Sequence, residues 1–546
     1  MRIRSLLYSI SVLIFIFGPL AAAQNVPAAG HVIVIGCDGM SPDGVRKAET
    51  PNMDYMMKNG AYTLHARGVL PTVSTPNWAS MIMGAGPEQH GMTSNDWERD
   101  EFSIPAVTTG SENLFPSIFT ILYEQRPDAE IGVIHHWDGF ARLVDKSSVN
   151  YIEHGESEVK TAQLAADYIR KKKPALTFIH LDHVDGAGHH YGHGTPEYYK
   201  AVEIADLLIG QIIQAVKDAG IYDDAVIIVT ADHGGIGHGH GGESLEELEI
   251  PFIICGKNVK KGYEIKSPVY QYDNASTVAY ILGVKQPYAW IGKPVKFAFE
   301  GVEEPAEYHV KYTMEKPEFT PGRDLYSPAG GLYINKEALV KISAAGGAEI
   351  RYTTDGSEPT KKSELYISPL TLKQSSVVRA RAFKGDEESL STTAYFRIIN
   401  DTAKNGVNYK YYEGGKWDVL PAFTDLNPVK TGKVFEFRID QIDHRDDQYA
   451  IVYDSFIKID KEGEYTFYTF SDDGSILYID GKEVANNDGS HGTKEKSGSV
   501  KLKTGMVPIK VAYFNDFGGA WLDVYYKGPD VPKQIIPADK LFFKEN

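Results

Sequence analysis

Three short apolar runs in the first half of the chain each end in residue types that bind metals. "HVIVIG" runs into "CDG" and supplies Asp38; "ALTFIHL" runs into "DHVDGAGHHYGHG" and supplies Asp185 and His189; "AVIIV" runs into "TADHGGIGHGHGG" and supplies Asp232, His233 and a choice of His238 or His240. Ligand sites in open α/β sheets lie beyond the carboxyl ends of the strands. Three strand ends, distant in sequence, therefore deliver carboxylate and imidazole to one rim. A lone histidine is more often structural than a ligand, but three such ends together point to a metal site. Mixed Asp and His donors suit zinc ahead of manganese or iron. Six or seven ligands exceed one tetrahedral site, so two divalent cations are expected. Two cations ~4 Å apart can clamp the attacking and leaving oxygens of a displacement at phosphorus.

Such a displacement needs a nucleophile from another strand-to-helix turn. "PTVSTPNWASMIMG" offers Ser74 or Thr75 just before Pro76, a favoured first helical residue. A hydroxyl there faces the positive end of the helix, and a zinc ion on its oxygen would make it an alkoxide near neutral pH. The plain alternative is an ordinary N-cap hydroxyl.

The elements that must hold these groups read as an α/β layered domain from about residue 30 to 300. "HVIVIG", "IGVIHH", "ALTFIHL", "AVIIVT" and "PFIICG" are short and almost continuously apolar, as expected of a mostly parallel sheet buried on both faces. Between them lie helices. One is expected from Thr50-Pro51 to Gly60, with a cap, a proline and a terminal glycine. Another is "TPEYYKAVEIADLLIGQIIQAVKDAG", whose Val202, Ala205, Leu208, Ile209, Ile212, Ile213 and Val216 share one face. Around 300–320 the pattern dissolves into a linker. Beyond it, short alternating runs broken by Gly, Asp, Asn and Ser read as β-sandwich modules, with a second break near "NDTAKNG" at 400–406.

A chain of 546 residues exceeds one core, and its net charge of -17 argues against binding a nucleic-acid duplex. An anionic substrate is not excluded, since bound cations reverse the local field. "MRIRSLLYSISVLIFIFGPLAAAQ" has the basic start, apolar run and small-residue end of a secretory signal peptide, with cleavage expected after Ala23. The product is expected to be exported, periplasmic or secreted, with no membrane span after cleavage. The other reading is an uncleaved anchor. The two cysteines, Cys37 and Cys255, are too few for a disulfide scaffold; two buried thiols or one bridge both fit.

"GCDG", "STPNWASMIMG", "HGMTSN", "DGAGH" and "DHGG…GHGG", in this order and spacing, resemble the alkaline phosphatase superfamily, and within it the type I phosphodiesterase/nucleotide pyrophosphatase group. The resemblance covers roughly residues 30 to 300. It implies Ser74 as nucleophile, two positions before the proline of the Thr-x-Pro-Asn-type turn, with Thr75 as fallback. It also implies an asparagine on a non-bridging phosphate oxygen, 21 residues beyond the nucleophile and after a His-Gly pair; Asn95 follows His90-Gly91 at that distance. By the same resemblance Asp38, Asp232 and His233 hold one zinc with Ser74, and Asp185 and His189 hold the other. The third histidine of that second site is assigned to His240, with His238 behind it, since no late His-Gly turn precedes the linker.

Two departures narrow the chemistry. Sulfatases of the superfamily carry Cys- or Ser-x-Pro-x-Arg, and Trp78 stands where the arginine belongs. Some monoesterase relatives place a Lys-x-Arg pair near "IGVIHHWDGFARL", where this chain has His135, His136 and Trp137 and no Lys or Arg until Arg142. The expectation is therefore a phosphodiesterase, with an alkaline phosphomonoesterase as the alternative. A sulfatase or a non-catalytic glycan-binding surface protein ranks lower.

"EIRYTTDGSEPTKKSELYISPLTL" (349–372) resembles the Ig-like module at the C-terminus of chitobiase and hexosaminidase enzymes. "GEYTFYTFSDDGSILYIDGKEVANNDGSHG" (463–492) resembles the β-sandwich first seen in anthrax protective antigen. Some relatives of the latter hold calcium on an adjacent aspartate pair that contacts sugar hydroxyls. That implies Asp472 and Asp473, with Asn487 and Asp488 as further oxygen ligands; the competing reading is that the turn only shapes a hairpin. The expected layout is a signal peptide (1–23), a catalytic domain (24–305), the Ig-like module (306–400) and the sandwich (401–546). The expected partners are a phosphoester substrate and, through the C-terminal modules, polysaccharide.

Overall fold

The computed structural model describes residues 29–323, 328–400, 402 and 404–543. The expected signal peptide lies outside the described residues. The first domain is built on eight strands: β1 (His31–Cys37), β2 (Gly60–Arg67), β3 (Ile131–His135), β4 (Tyr151–His154), β5 (Leu176–Leu181), β6 (Ala225–Thr230), β7 (Glu249–Gly256) and β8 (Tyr263–Glu264). They form one sheet in the order β4-β3-β5-β1-β6-β7-β2-β8. β1 pairs in parallel with β5 and β6, β3 with β4 and β5, and β2 with β8. The three strands that lead into the Asp/His turns are thus neighbours. Their register sets Cys37 beside Leu181 and Gly36 beside Thr230, so their carboxyl ends emerge together.

"PFIICG", in β7, departs from the parallel expectation and runs antiparallel to both β6 and β2. The physical reason is the connection. The loop after Thr230 returns through only the short helix Leu245–Leu248, and a chain that comes back without a crossover must reverse direction. β2 was not expected. The preceding helix, Pro51–Asn59, passes straight into it because Gly60 is extended (φ -146°) rather than left-handed. Thr50 precedes that helix but makes no side-chain cap; its hydroxyl donates to the carbonyl of Val45.

The helix Pro196–Asp218 starts as expected, with the Thr195 hydroxyl accepting from the Tyr198 amide at 3.2 Å, and its seven face residues are buried. The helix Ser74–Met83 is buried at every position. The outer edge of the Trp78 ring meets β1 at Gly36, which leaves room for it: a Cβ at Gly36 would stand 2.4 Å from the ring. Cys37 and Cys255 are both buried free thiols, so no bridge joins them.

Beyond residue 306 the described residues hold no α-helix, only strands and short 3-10 turns. Strands between 318 and 399 form a six-stranded and a three-stranded sheet, and strands between 407 and 542 a seven-stranded and a four-stranded sheet. Each pair encloses its own apolar core. Arg397 of the first module and Glu436 of the second form an ion pair at 2.5 Å, both side chains almost fully buried.

Candidate metal centre

The stretch after β1 places Asp38 with 1% exposure at the centre of the rim. One of its oxygens, Oδ2, is occupied: it accepts from the Trp78 indole N–H at 3.0 Å and lies 3.3 Å from His180 Nε2. Its Oδ1 has no hydrogen-bond partner and lies 3.3 Å from His233 Nε2. Asp232 Oδ1 accepts from the Gly39 amide at 3.1 Å, while its Oδ2 is buried without a hydrogen-bond partner, 3.2 Å from His233 Nε2. Ser74 Oγ, at the first turn of its helix, lies 3.4 Å from the same His233 Nε2. The Thr75 hydroxyl is buried without a partner, and its amide donates to Asn95 Oδ1 at 2.8 Å, tying Asn95 beside Ser74.

A second cluster adjoins the first. Asp185 and His189 lie one turn apart on the helix His183–Tyr191, with His189 Nε2 3.2 Å from Asp185 Oδ2. His240 Nε2 is 3.7 Å from Asp185 Oδ1, which has no hydrogen-bond partner. Ligand atoms of Asp185, His189 and His240 fall within 4.8 Å of one another, as do those of Asp38, Asp185 and His233. His238 stands outside these groups; its Nδ1 lies 2.9 Å from the His189 carbonyl. The glycines of the loop act by position. Gly241 has φ +113°, which lets the chain turn at His240, and a Cβ on Gly235 would stand 2.1 Å from the half-buried His193 ring.

The donor set fits a pair of cations on three grounds. Each of the three imidazoles has Nδ1 on a backbone carbonyl (His233 to Gly234, His189 to His238, His240 to Thr72), which leaves Nε2 directed inward. Three buried carboxylate oxygens, on Asp38, Asp185 and Asp232, accept no hydrogen bond. The carboxylates also oppose each other. Burial and the neighbouring Asp38 charge push Asp232 well above its usual range, whereas Asp38, against the effect of its own burial, is held low by the His180 and His233 imidazoles beside it. Like charges this close cannot both ionise unless a cation lies between them.

The sequence singles out Trp78 only as standing where a sulfatase arginine belongs, and it leaves His180 and Asp182 without a role. Asp182 stands directly beyond β5, as Asp38 does beyond β1, and that position was the available signal. Asp38, His180 and Asp182 form a third close group. In the C-terminal module, Asp473 Oδ1 accepts from the His491 amide at 2.7 Å and Oδ2 from the Asp516 amide at 2.8 Å. Asn487 keeps a buried Oδ1 without a partner. Asp488 turns away from the pair, accepting from the Leu420 and Gly489 amides.

Residues 32–246 match the type I phosphodiesterase / nucleotide pyrophosphatase family, residues 328–394 the chitobiase/beta-hexosaminidase C-terminal domain, and residues 403–540 the PA14 domain. The chain is 24% identical over 216 residues to ectonucleotide pyrophosphatase/phosphodiesterase family member 5 of Homo sapiens, covering 38% of this chain and 45% of that protein. It is 25% identical over 218 residues to family member 3 of Rattus norvegicus, covering 37% and 24%. It therefore spans less than half the length of these curated relatives. A solved murine ectonucleotide pyrophosphatase / phosphodiesterase 5 is similar with a TM-score of 0.41 and 17% identity, over 47% of this chain and 96% of that chain.

Proposed function

We propose that this chain, which carries a type I phosphodiesterase / nucleotide pyrophosphatase domain over residues 32–246, is an exported hydrolase of phosphoric diesters with Ser74 as its nucleophile. The observation that carries the reading is the convergence of Asp38, Asp232 and His233 on one side, and Asp185, His189 and His240 on the other, around inward-facing imidazole nitrogens next to the Ser74 hydroxyl. When bound, two divalent cations, which this mixed Asp/His set suits as zinc, supply neutralisation of charge on the phosphoryl oxygens and acidify the serine hydroxyl.

The chain's own residues do the rest. Ser74 Oγ forms a bond to phosphorus as the bond to the first alcohol breaks, and that alcohol departs with a proton. Water then cleaves the seryl ester, which releases the phosphomonoester and restores the hydroxyl. Asn95, held to the Thr75 amide through Oδ1, has its amide N–H groups left for a non-bridging phosphate oxygen.

Diester preference is supported by what the stretch after β3 offers. The Arg142 guanidinium is spent on the carbonyls of Asn95 and Trp97 and on Glu98. Burial pushes His135 down to about 4 and lowers His136 as well. No cation from this stretch is left to meet the second charge of a monoester. The N-terminal residue pattern supports export. The modules at 306–400 and 401–546 support a glycan-linked phosphate as the setting of the reaction.

The test is the Ser74→Ala protein beside the parent and Thr75→Ala, assayed on p-nitrophenyl phosphate and on its bis-ester. The expected outcome is about two zinc per chain in all three proteins by elemental analysis, faster turnover of the bis-ester, and a loss of about a thousandfold or more in Ser74→Ala alone. Full activity in Ser74→Ala with its metal retained would overturn the assignment.

A further inference from the structure

Six of the nine residues from Gly234 to Gly242 are glycine. Glycine loses more backbone freedom on ordering than any other residue, yet this segment must hold His240 in place. It needs support from outside itself, and part of that support comes from the far end of the chain. The 472–473 turn and the 489–492 loop of the C-terminal sandwich lie against it. A Cβ on Gly239 would stand 3.1 Å from Asp472 Oδ2, and a Cβ on Gly492 would stand 3.0 Å from the His240 carbonyl oxygen.

The remaining braces come from the catalytic side. The Thr72 carbonyl meets His240 Nδ1 at 2.8 Å, and the Thr72 hydroxyl accepts from the Gly241 amide at 3.0 Å. The carbonyls of Glu246 and Glu247 accept from the amides of Gly235 and Gly234. Glu246 is itself tied to the segment that leads to the β modules. Lys316 pairs with it at 2.6 Å, and Arg323, whose guanidinium lies 5.1 Å over the Trp521 ring of the sandwich, is within its electrostatic reach. The sandwich contact falls on the open side of the centre: the His233 side chain is fully buried, whereas that of His189 is 43% exposed. Asp472 is within electrostatic reach of His189 and of Glu247.

We propose that the C-terminal sandwich is the docking partner of the His240 loop, and that its docking and cation binding at Asp185, His189 and His240 strengthen each other. The proposal rests on the metal-centre part of the reading above and is independent of the nucleophile and of the diester preference. Two effects carry the coupling. One is order: a sandwich seated on the loop leaves less freedom for His240 to lose when a cation binds. The other is charge. Asp472 faces the carboxylate of Glu247 as well as the His189 imidazole, and a cation held by His189 sets positive charge near both acids. Reciprocity follows: the factor that docking adds to cation affinity is the factor that the cation adds to docking.

The test uses the full-length chain. Gly492→Val adds a branched side chain where a Cβ alone already crowds the His240 carbonyl, and Asp472→Asn removes the charge at nearly constant shape. Gly415→Val, in the same module with open space around it, is the control. Zinc affinity is read by competition with a chromophoric chelator, and docking by hydrogen exchange in the 472–473 turn and the 489–492 loop. The expected result is about two zinc per chain in parent and control, with the affinity for one of them about tenfold lower in Gly492→Val, inside the roughly 5–150-fold span of ordinary couplings. Asp472→Asn should lower the same affinity by less, and the other zinc should be unmoved in both. Reciprocally, zinc should slow exchange in the two sandwich loops about tenfold in the parent, and not in His189→Ala, which lacks a ligand of that position. The exchange measurement needs no change in the sandwich, so it decides the matter even where Gly492→Val fails to fold. Parent-like affinity for both zinc ions in a folded Gly492→Val, or sandwich loops whose exchange zinc does not slow in the parent, would overturn the proposal. A parent that binds no zinc would instead overturn the metal-centre reading, and the proposal with it.

Discussion

Asp38 can offer one oxygen to a cation because its other oxygen is occupied. The Trp78 indole and His180 both meet Oδ2, and Oδ1 alone is turned to His233. Groups that orient a ligand in this way typically alter metal affinity by about 10–100-fold. Trp78→Phe keeps an aromatic ring in the core but cannot donate. We expect its zinc affinity, measured by competition with a chromophoric chelator, to fall by about 10–100-fold with the fold retained; unchanged affinity would show that the indole N–H does not orient Asp38. The same contact explains part of what the sequence revealed and what it hid. Asp38, Asp185, His189, Asp232 and His233 were legible because each follows an apolar run into a glycine-rich turn, where a charged residue has no packing role. His240 could be separated from His238 only by the resemblance, since alternation along "GHGHGG" leaves either histidine free to turn inward. Trp78 and His180 were illegible for a different reason: an indole N–H and an imidazole pointing into a core look, in sequence, like any apolar neighbour.

At the scale of elements, the site depends on how closely the helix Ser74–Met83 can sit on β1. Gly36 is a point of close approach, with a Cβ there falling 2.4 and 2.5 Å from Cζ3 and Cη2 of Trp78. Gly36→Ala must therefore push the indole away from Asp38. Overpacking of this kind costs about 1–3 kcal/mol, and we expect a loss in that range by chemical denaturation, together with weaker zinc binding. The clash is with Cζ3 and Cη2 of the outer ring of the indole, beyond the reach of a phenylalanine ring. Combining Gly36→Ala with Trp78→Phe should then cost less than the two single changes added together, and strict additivity would place the clash elsewhere. The alternating elements of this domain were legible from apolar runs of strand length, and the long helix Pro196–Asp218 from its seven-residue face. The direction of β7 was not legible because an apolar run carries no sign of its polarity; only the missing crossover between Thr230 and Glu249 sets it. β2 was missed because a glycine after a helix reads as a stop, whereas Gly60 is extended and begins the strand.

At the scale of the whole molecule, the chain folds back on itself. The segment after the first domain is laid along that domain, with the Val310 amide on the Lys266 carbonyl at 2.7 Å and Lys316 paired with Glu246. The Ig-like module then grips the sandwich through Arg397 and Glu436, and the sandwich in turn reaches the His240 loop. The texture of the two β modules was legible in the sequence, but their return to the cleft was not. The residues that make it, Gly239, Gly492 and Arg397, are ordinary turn and strand residues until they meet a partner far along the chain. The Arg397–Glu436 pair is the clearest test of whether the two β modules act as one rigid arm. Both side chains are almost fully buried, with 4% and 3% exposed, and Gln441 also donates to Glu436. Removing one partner of such a pair leaves a charge uncompensated, which costs about 3–5 kcal/mol, whereas replacing both by apolar groups is often neutral. Arg397→Met should accordingly lower the stability of the C-terminal arm by about 3–5 kcal/mol in calorimetry, and Arg397→Met with Glu436→Leu should recover most of that loss. A single change that costs less than about 1 kcal/mol, the range of an exposed pair, would mean that the two modules part in solution and that the arm does not hold the sandwich at the cleft.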